Sequence, residues 1–478
     1  MDKWRRHERS ATVPANGKGN DFARFPPSGM DNRRRQGHLL PVIPGVSRGG
    51  PKLRRRSMSQ APMPLPRMYR VRQNLSRQRL PDIPAAVRGA MAAARLPIKR
   101  GHSVAVGAGS RGIANIAVIV RAAVDHLREL GAEPFVFPAM GSHGGATAGG
   151  QLEILEHYGI TEESMGCPVR ATMEVVQVGS ALGMPVWCDR LASEADWIGV
   201  VNRVKPHTDF KGEIESGLCK MMAIGMGKHQ GAKQYHRAIV NLRFERVITA
   251  VAREILAKAR IGFGLGIVEN GYEETAGVEA FNAGDLEAGE RRLLKDAKRW
   301  MARLPFSPID ILVVEEIGKE ISGSGMDTNV IGRTFHPREN FPKDPEILRI
   351  VALDLTDDSG GNATGIGNAD FTTRRLADKI DWRKTAINVL TASAPSAGMM
   401  PLSFDSDREA VEHALNCIGA VEPEKARLIR IRNTLMLAEI ECSEAFLAEI
   451  GKSPSLEILG EARPLGFDAA GRIIPLAH

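Results

Sequence analysis

Lysine, histidine and cysteine crowd one stretch of this 478-residue chain: residues 205–236 hold five Lys, three His, one Cys and five Gly. Nucleophiles, proton carriers and possible metal ligands thus share a segment whose glycines let backbone come close to a ligand. Lys220 is flanked by Leu218, Met221 and Met222. An amine in apolar surroundings loses proton affinity and suits covalent chemistry, although a lysine snorkelling from a half-buried helix fits the same pattern. Cys219, next to it, reads as a ligand or nucleophile, or else as a buried inert thiol. His229 and His236 lack the i, i+4 spacing of a zinc-binding helix.

Three more polar clusters each follow a short apolar run. Ser103–Val106 leads into Gly-Ala-Gly and then Ser110-Arg111-Gly112. Pro134–Pro138 (PFVFP) leads to Gly141-Ser142-His143-Gly144-Gly145. Asp196–Val201 (DWIGVV) runs into Asn202-Arg203-Val204-Lys205-Pro206-His207. If the runs are parallel strands, all three clusters sit on one sheet edge, where open α/β sheets bind ligands. Arg111 offers a planar fork for a carboxylate or phosphate, and His143 and His207 occupy equivalent strand-end positions. The glycines match neither a dinucleotide fingerprint nor a P-loop.

The elements that must position these residues alternate strand and helix from about residue 75. Pro84–Leu96, Asn115–Leu130 and Gln151–Tyr158 carry helical signals, and Met173–Val178 and Val186–Cys188 read as strands. That alternation predicts an α/β fold with a mostly parallel sheet. After a helix-like Asp285–Arg303, the punctuation Leu304-Pro305-Phe306-Ser307-Pro308 starts a second strand pattern at Ile309–Val314 and Ile350–Thr356. Arg408–Ile418 reads as a helix and Arg427–Cys442 as two strands. The loops Ser322–Asp327 and Asp357–Gly367 could line a ligand site. Asp370 could cap a helix, or it or the Arg374-Arg375 pair could act at the site. The expected layout is a tail over 1–70, a larger catalytic and cofactor domain over 71–303, and a smaller C-terminal α/β domain over 304–478.

Charge supports the division at residue 70. The chain carries 64 Lys plus Arg against 56 Asp plus Glu, yet the first 70 residues hold 16 basic and 4 acidic side chains. The remainder is mildly acidic. The tail, with 9 Pro, 7 Gly and two triple-arginine runs, is expected to be disordered and to bind polyanions loosely at most. Translation starting at Met30, Met58 or Met68 is an alternative reading of it. Five scattered cysteines give no disulfide framework, which predicts a cytoplasmic protein. No apolar run reaches the roughly 18 residues of a membrane span.

With Gly-Ser-Arg-Gly at 109–112, Gly-Ser-His at 141–143, Pro-His at 206–207, Lys220 and His236 in this order, the chain resembles the nickel-pincer lactate racemase (LarA-like) family. The 16-residue step from Lys220 to His236 resembles that from the family's cofactor-bearing lysine to its nickel-ligating histidine. The resemblance implies a nickel ion held by pyridinium-3,5-bisthiocarboxylic acid mononucleotide, attached at Lys220, with His236 as metal ligand. It also implies an isomerase: His143 and His207 act as two bases on an α-hydroxy acid while hydride moves to and from the cofactor. Arg111, with Ser110, would hold the substrate carboxylate. The implied partners are a small hydroxy acid and the cofactor-synthesis proteins, with no membrane or nucleic acid.

The chain departs from the family around these residues. Ala108, Gly109 or Ser110 stand for its Asp and Thr, and Gly144 for an Arg. The His207–Lys220 stretch is three residues longer and adds Glu213 and Glu215. The family's downstream Gln and Lys are absent, with Arg333 or Arg338 as possible substitutes. A substrate other than lactate follows. Rival functions are a dehydrogenase or hydro-lyase using the same cofactor, or a non-catalytic polyanion-binding protein acting through its tail.

Overall fold

The apolar runs become strands whose two faces are both covered. The computed structural model describes residues 63–109, 112–335 and 341–476, so the expectations for the rest of the tail, Ser110, Arg111 and Arg338 lie outside the described residues. In chain order the first half contains β1 (Arg67–Gln73), α1 (Ile83–Ala93), β2 (Ser103–Ala108), α2 (Ile116–Glu129), β3 (Glu133–Pro138), α3 (Ala148–His157) and α4 (Glu162–Met165). It continues through β4 (Val175–Ala181), β5 (Met184–Asp189), α5 (Arg190–Glu194), β6 (Trp197–Arg203), α6 (Leu218–Lys220), α7 (Lys228–Leu242) and α8 (Phe244–Lys258). It ends with β7 (Ile261–Glu269), β8 (Thr275–Phe281) and α9 (Leu286–Trp300).

Strands β3, β2, β6, β7 and β8 lie side by side in that order, parallel except for β8. Along β2, Val104 and Val106 pack under α2, whereas Ala105 faces the layer containing α7 and α8. A strand buried on both faces reads as a continuous apolar run. On α2 the buried residues Ile116, Ile119, Val120, Ala123, Val124 and Leu127 recur at helical spacing. Neither β7 nor β8 was evident from sequence. Their glycines mask the signal, and Gly264 shows why one is needed: a Cβ there would lie 2.7 Å from Leu286 and 2.9 Å from Leu218.

The second half is built on β9 (Ile309–Ile317), β10 (Ile347–Leu355), β11 (Phe371–Thr373), β12 (Leu402–Phe404), β13 (Leu428–Ile431), β14 (Glu439–Ser443), β15 (Leu456–Ile458) and β16 (Arg463–Pro464). The short α10 (Thr328–Ile331) follows β9. The sheet order is β12-β11-β10-β9-β13-β14-β1-β15, with β16 also pairing β1. Strands β12 to β13 run parallel, and the others pair antiparallel. Both halves belong to one compact unit, Ala61–His478. The fold is α/β, with one sheet parallel except for β8 and a second that is part parallel and part antiparallel.

Strand β1 crosses the boundary expected at residue 70. Arg67 and Arg70 made this stretch look like tail, yet Met68 and Val71 are core residues. Arg70 and Arg72 pair with Glu439 on β14, and Arg72 also with Glu457 on β15. No helix among the described residues is long and apolar enough to cross a membrane.

Candidate functional site

Because β2, β3, β6 and β7 are parallel, their carboxyl ends share one edge, and a cavity of about 460 Å3 opens there. The first half contributes His143, Asn202, Lys205, His207, Lys220 and His236 to its wall. The second half supplies Lys319, Ser322, Asp327, Thr364 and Asn388. His143, His207, Lys220 and His236, the four positions expected to act, are therefore brought together. Ser110 and Arg111 lie outside the described residues, but their neighbours Gly109 and Gly112 line the same cavity.

Lys220 and His207 touch: the Nζ amine and the ring Nε2 are hydrogen-bonded. On the far side of the ring, Nδ1 accepts the backbone N–H of Asp209 at 2.9 Å. Both ring nitrogens of His207 are thus engaged, one by the Lys220 side chain and one by the backbone. His207 is 5% exposed and packs against Phe210 and Phe244, themselves stacked, at ring-centroid distances of 4.5 and 5.6 Å. Lys220 closes α6 and opens a wide turn in which the N–H of Met226 donates to the carbonyl of Met221 five residues earlier. Such π-type turns concentrate at functional sites. His236 reaches the cavity from α7.

Glu215, part of the added segment, anchors the His207 loop. Its fully buried carboxylate accepts the backbone N–H groups of His207 at 2.7 Å and Gly212 at 3.2 Å, and it pairs with Lys298 at 2.5 Å. Asn329 on α10 and Lys211 donate to the His207 carbonyl, at 3.3 and 3.0 Å. The His207 loop is thus clamped between the two halves. Burial pushes the Lys211 ammonium below the usual lysine range, and Glu215 partly opposes that shift. On the cavity wall, burial and then the neighbouring Glu269 push the Glu273 carboxyl up.

Beneath Lys220, the fully buried Glu290 on α9 accepts the backbone N–H of Cys219 at 2.7 Å, and burial pushes its carboxyl up to about 7. The buried Cys219 thiol is pushed well above its ordinary range, first by that burial and then by Glu290, so it is inert rather than nucleophilic.

His143 precedes a tight turn at Gly144, Gly145 and Ala146, all with positive φ. A Cβ on Gly144 would collide with the Gly150 carbonyl and lie 2.6 Å from the backbone nitrogen of Gln151. Gly144 accepts no side chain here, so glycine is built into the backbone at this position.

Several second-half candidates are structural. Arg333 donates to the carbonyls of Asn368, Ile347 and Leu348 and pairs with Asp370, so it does not replace a substrate-binding residue. Asp370 accepts the N–H of Ile350, and Thr373 caps the helix that follows. Arg374 pairs with Asp405, and Arg375 with Asp354 and Asp407. Both loops read as candidate lining do reach the cavity, through Ser322, Ser324 and Thr364. Lys319, which was not singled out from sequence, is the second half's cavity lysine; its Nζ donates to the Gly323 carbonyl and to Asn388.

The residues present fit the implied cofactor. A cavity of this volume is in the range that holds small-molecule ligands. Its wall carries the Lys220 amine and the His236 imidazole. Among the described residues, no group of three or more His, Cys, Asp or Glu side chains could hold a metal ion. A metal beside His236 would take most of its ligands from an organic group.

No protein-family model and no curated protein matches this chain. Among solved structures, the lactate racemase apoprotein from Thermoanaerobacterium thermosaccharolyticum is similar at a TM-score of 0.47 and 14% identity, covering 77% of this chain and 93% of that one. A protein from Thermotoga maritima is similar at 0.44 and 14%, covering 74% and 96%. Neither likeness is close enough to bear on chemistry.

Proposed function

We propose that this protein is a nickel-pincer-dependent racemase or epimerase of an α-hydroxy acid other than lactate. The observation that carries the reading is the contact of the Lys220 amine with His207, in a cavity that His143 and His236 also line. Lys220 would hold the pyridinium bis-thiocarboxylate nucleotide and His236 its nickel. When bound, that group supplies a reversible hydride acceptor.

The chain's own residues handle protons and orientation. His143 and His207 approach from separate strand ends, as two bases must if the hydroxyls of the two enantiomers point to opposite sides. The Asp209 N–H at Nδ1 orients the His207 ring so that Nε2 faces the Lys220 side chain. Arg111 is assigned to the substrate carboxylate. The rebuilt surroundings of His143 and the absence of a binding role for Arg333 favour a substrate other than lactate.

Intact mass tests the reading. Protein produced with the cofactor-synthesis proteins is expected to carry the nucleotide adduct plus nickel, and Lys220→Ala to carry neither. Unmodified wild-type protein under those conditions refutes the proposal.

A further inference from the structure

A buried charge lies close to the site without touching the cavity. Lys228, the first residue of α7, is 0% exposed, and its Nζ lies 3.0 Å from the equally buried Asp189 carboxylate at the end of β5. The ammonium also donates to the Pro138 carbonyl at 2.5 Å and to Gln151 Oε1 at 3.1 Å, so three oxygens surround it. Burial favours the neutral form of each partner, and their mutual attraction opposes it. Pro138 is the last residue of β3, the strand that leads to His143.

Gln151, at 0% exposure, continues the chain of contacts. Because its Oε1 receives the ammonium, its Nε2 is turned the other way, where it donates to the carbonyls of Met140, Gly141 (3.2 Å) and His143 (3.4 Å). One carboxamide thus grips the whole turn that presents His143. At the other end of the network, Lys228 begins the helix on which His236 follows eight residues, or about two turns, later. Lys228 also holds φ +52, a left-handed conformation uncommon for a residue with a side chain. Such strain persists only where the surroundings over-determine it.

Stability does not account for this arrangement. A buried ion pair often gains nothing over apolar residues of similar volume, because both charges lose their water. What the pair does accomplish is geometric: it ties β3, β5, the His143 turn and α7 at one point.

We propose that Gln151 and the Lys228–Asp189 pair are positioning residues that set His143 against the helix carrying His236. Their importance for turnover rests on the function proposed above, while the geometric coupling does not. Full-chain protein without cofactor, labelled at histidine Cε1, reads it by NMR, with the His143 and His236 signals assigned from His143→Gln and His236→Gln. In Gln151→Met the His143 signal is expected to shift by more than its linewidth, while those of His207, His229 and His413 stay in place. In Lys228→Met/Asp189→Leu, which leaves no orphaned charge, both the His143 and His236 signals should shift while the melting temperature stays within a few degrees of wild type.

An unmoved His143 signal in Gln151→Met overturns the proposal, as does a collective shift of all ring signals, which marks general loosening. If the double variant fails to fold, Gln151→Met decides alone. An absent adduct at Lys220 would refute the cofactor reading and leave this result standing.

Discussion

Replacing Glu290 by Gln tests how the turn carrying Lys220 is held. The Glu290 carboxyl is fully buried, one oxygen accepts the Cys219 N–H, and the other is a buried oxygen with no hydrogen-bond partner. Burial raises it from the ordinary 4.5 to about 7. Between those values the folded protein keeps a proton that the unfolded chain releases. Stability is therefore fully present below 4.5 and falls as pH rises through the window, by about 3 kcal/mol in total at about 1.4 kcal/mol per pH unit. About 2.5 kcal/mol of that loss falls between about pH 5 and about pH 8.5.

The carboxamide of Glu290→Gln cannot ionise, and its carbonyl oxygen can still accept from Cys219. The fixed cost of the substitution, whatever its size, is the same at both pH values. The assay is urea unfolding of wild type and Glu290→Gln at each. The difference in unfolding free energy should move by about 2.5 kcal/mol in favour of the variant at the higher pH. A difference that stays constant within error refutes the buried, proton-holding carboxyl.

The other expected outcomes are these. Gly144→Ala combines a positive φ with a clash against Gly150 and should cost about 2–3 kcal/mol by denaturant unfolding; a cost below about 0.5 kcal/mol would show that the turn is not tight. His143→Gln and His207→Gln should each keep the adduct at Lys220 by intact mass while abolishing racemisation, and turnover surviving in both would sink the two-base mechanism. Deleting residues 1–62 should leave turnover unchanged, whereas deleting 1–73 removes β1 from between β14 and β15 and should give insoluble or unfolded protein. Equal behaviour of the two truncations would contradict the pairing of β1.

Much of the fold was legible because strands buried on both faces are written as apolar runs. PFVFP and DWIGVV became β3 and β6, and IDILVV and IVALDLT became β9 and β10. The two sheets were harder to delimit. Strand β1 pairs with residues some 370 positions away, Val71 with Ile440 for example, and nothing local announces a partner at that distance. Its arginines read as tail charge until Glu439 and Glu457 are placed beside them. Strand β7 was hidden because its glycines record the shape of what packs on it, Leu218 and Leu286, rather than any preference of their own.

The site divides along the same line. Residue type and position selected His143 and His207, because reactive groups set after short apolar runs land at strand ends and parallel strands bring those ends to one edge; Lys220 stood out by its apolar neighbours, and His236 only through the family resemblance. Arg333 shows the limit of that reasoning, since a guanidinium suited to a carboxylate is consumed by Asp370 and three carbonyls. Only tertiary structure decides what holds the reactive groups in place. Glu215 under His207, Glu290 under Lys220, and Gln151 with Lys228 under His143 come from elements distant in sequence or pointed away from the cavity. Their roles depend on burial and on which backbone groups they meet. The amino-acid order specified the chemistry on offer; packing set the orientation in which it is presented.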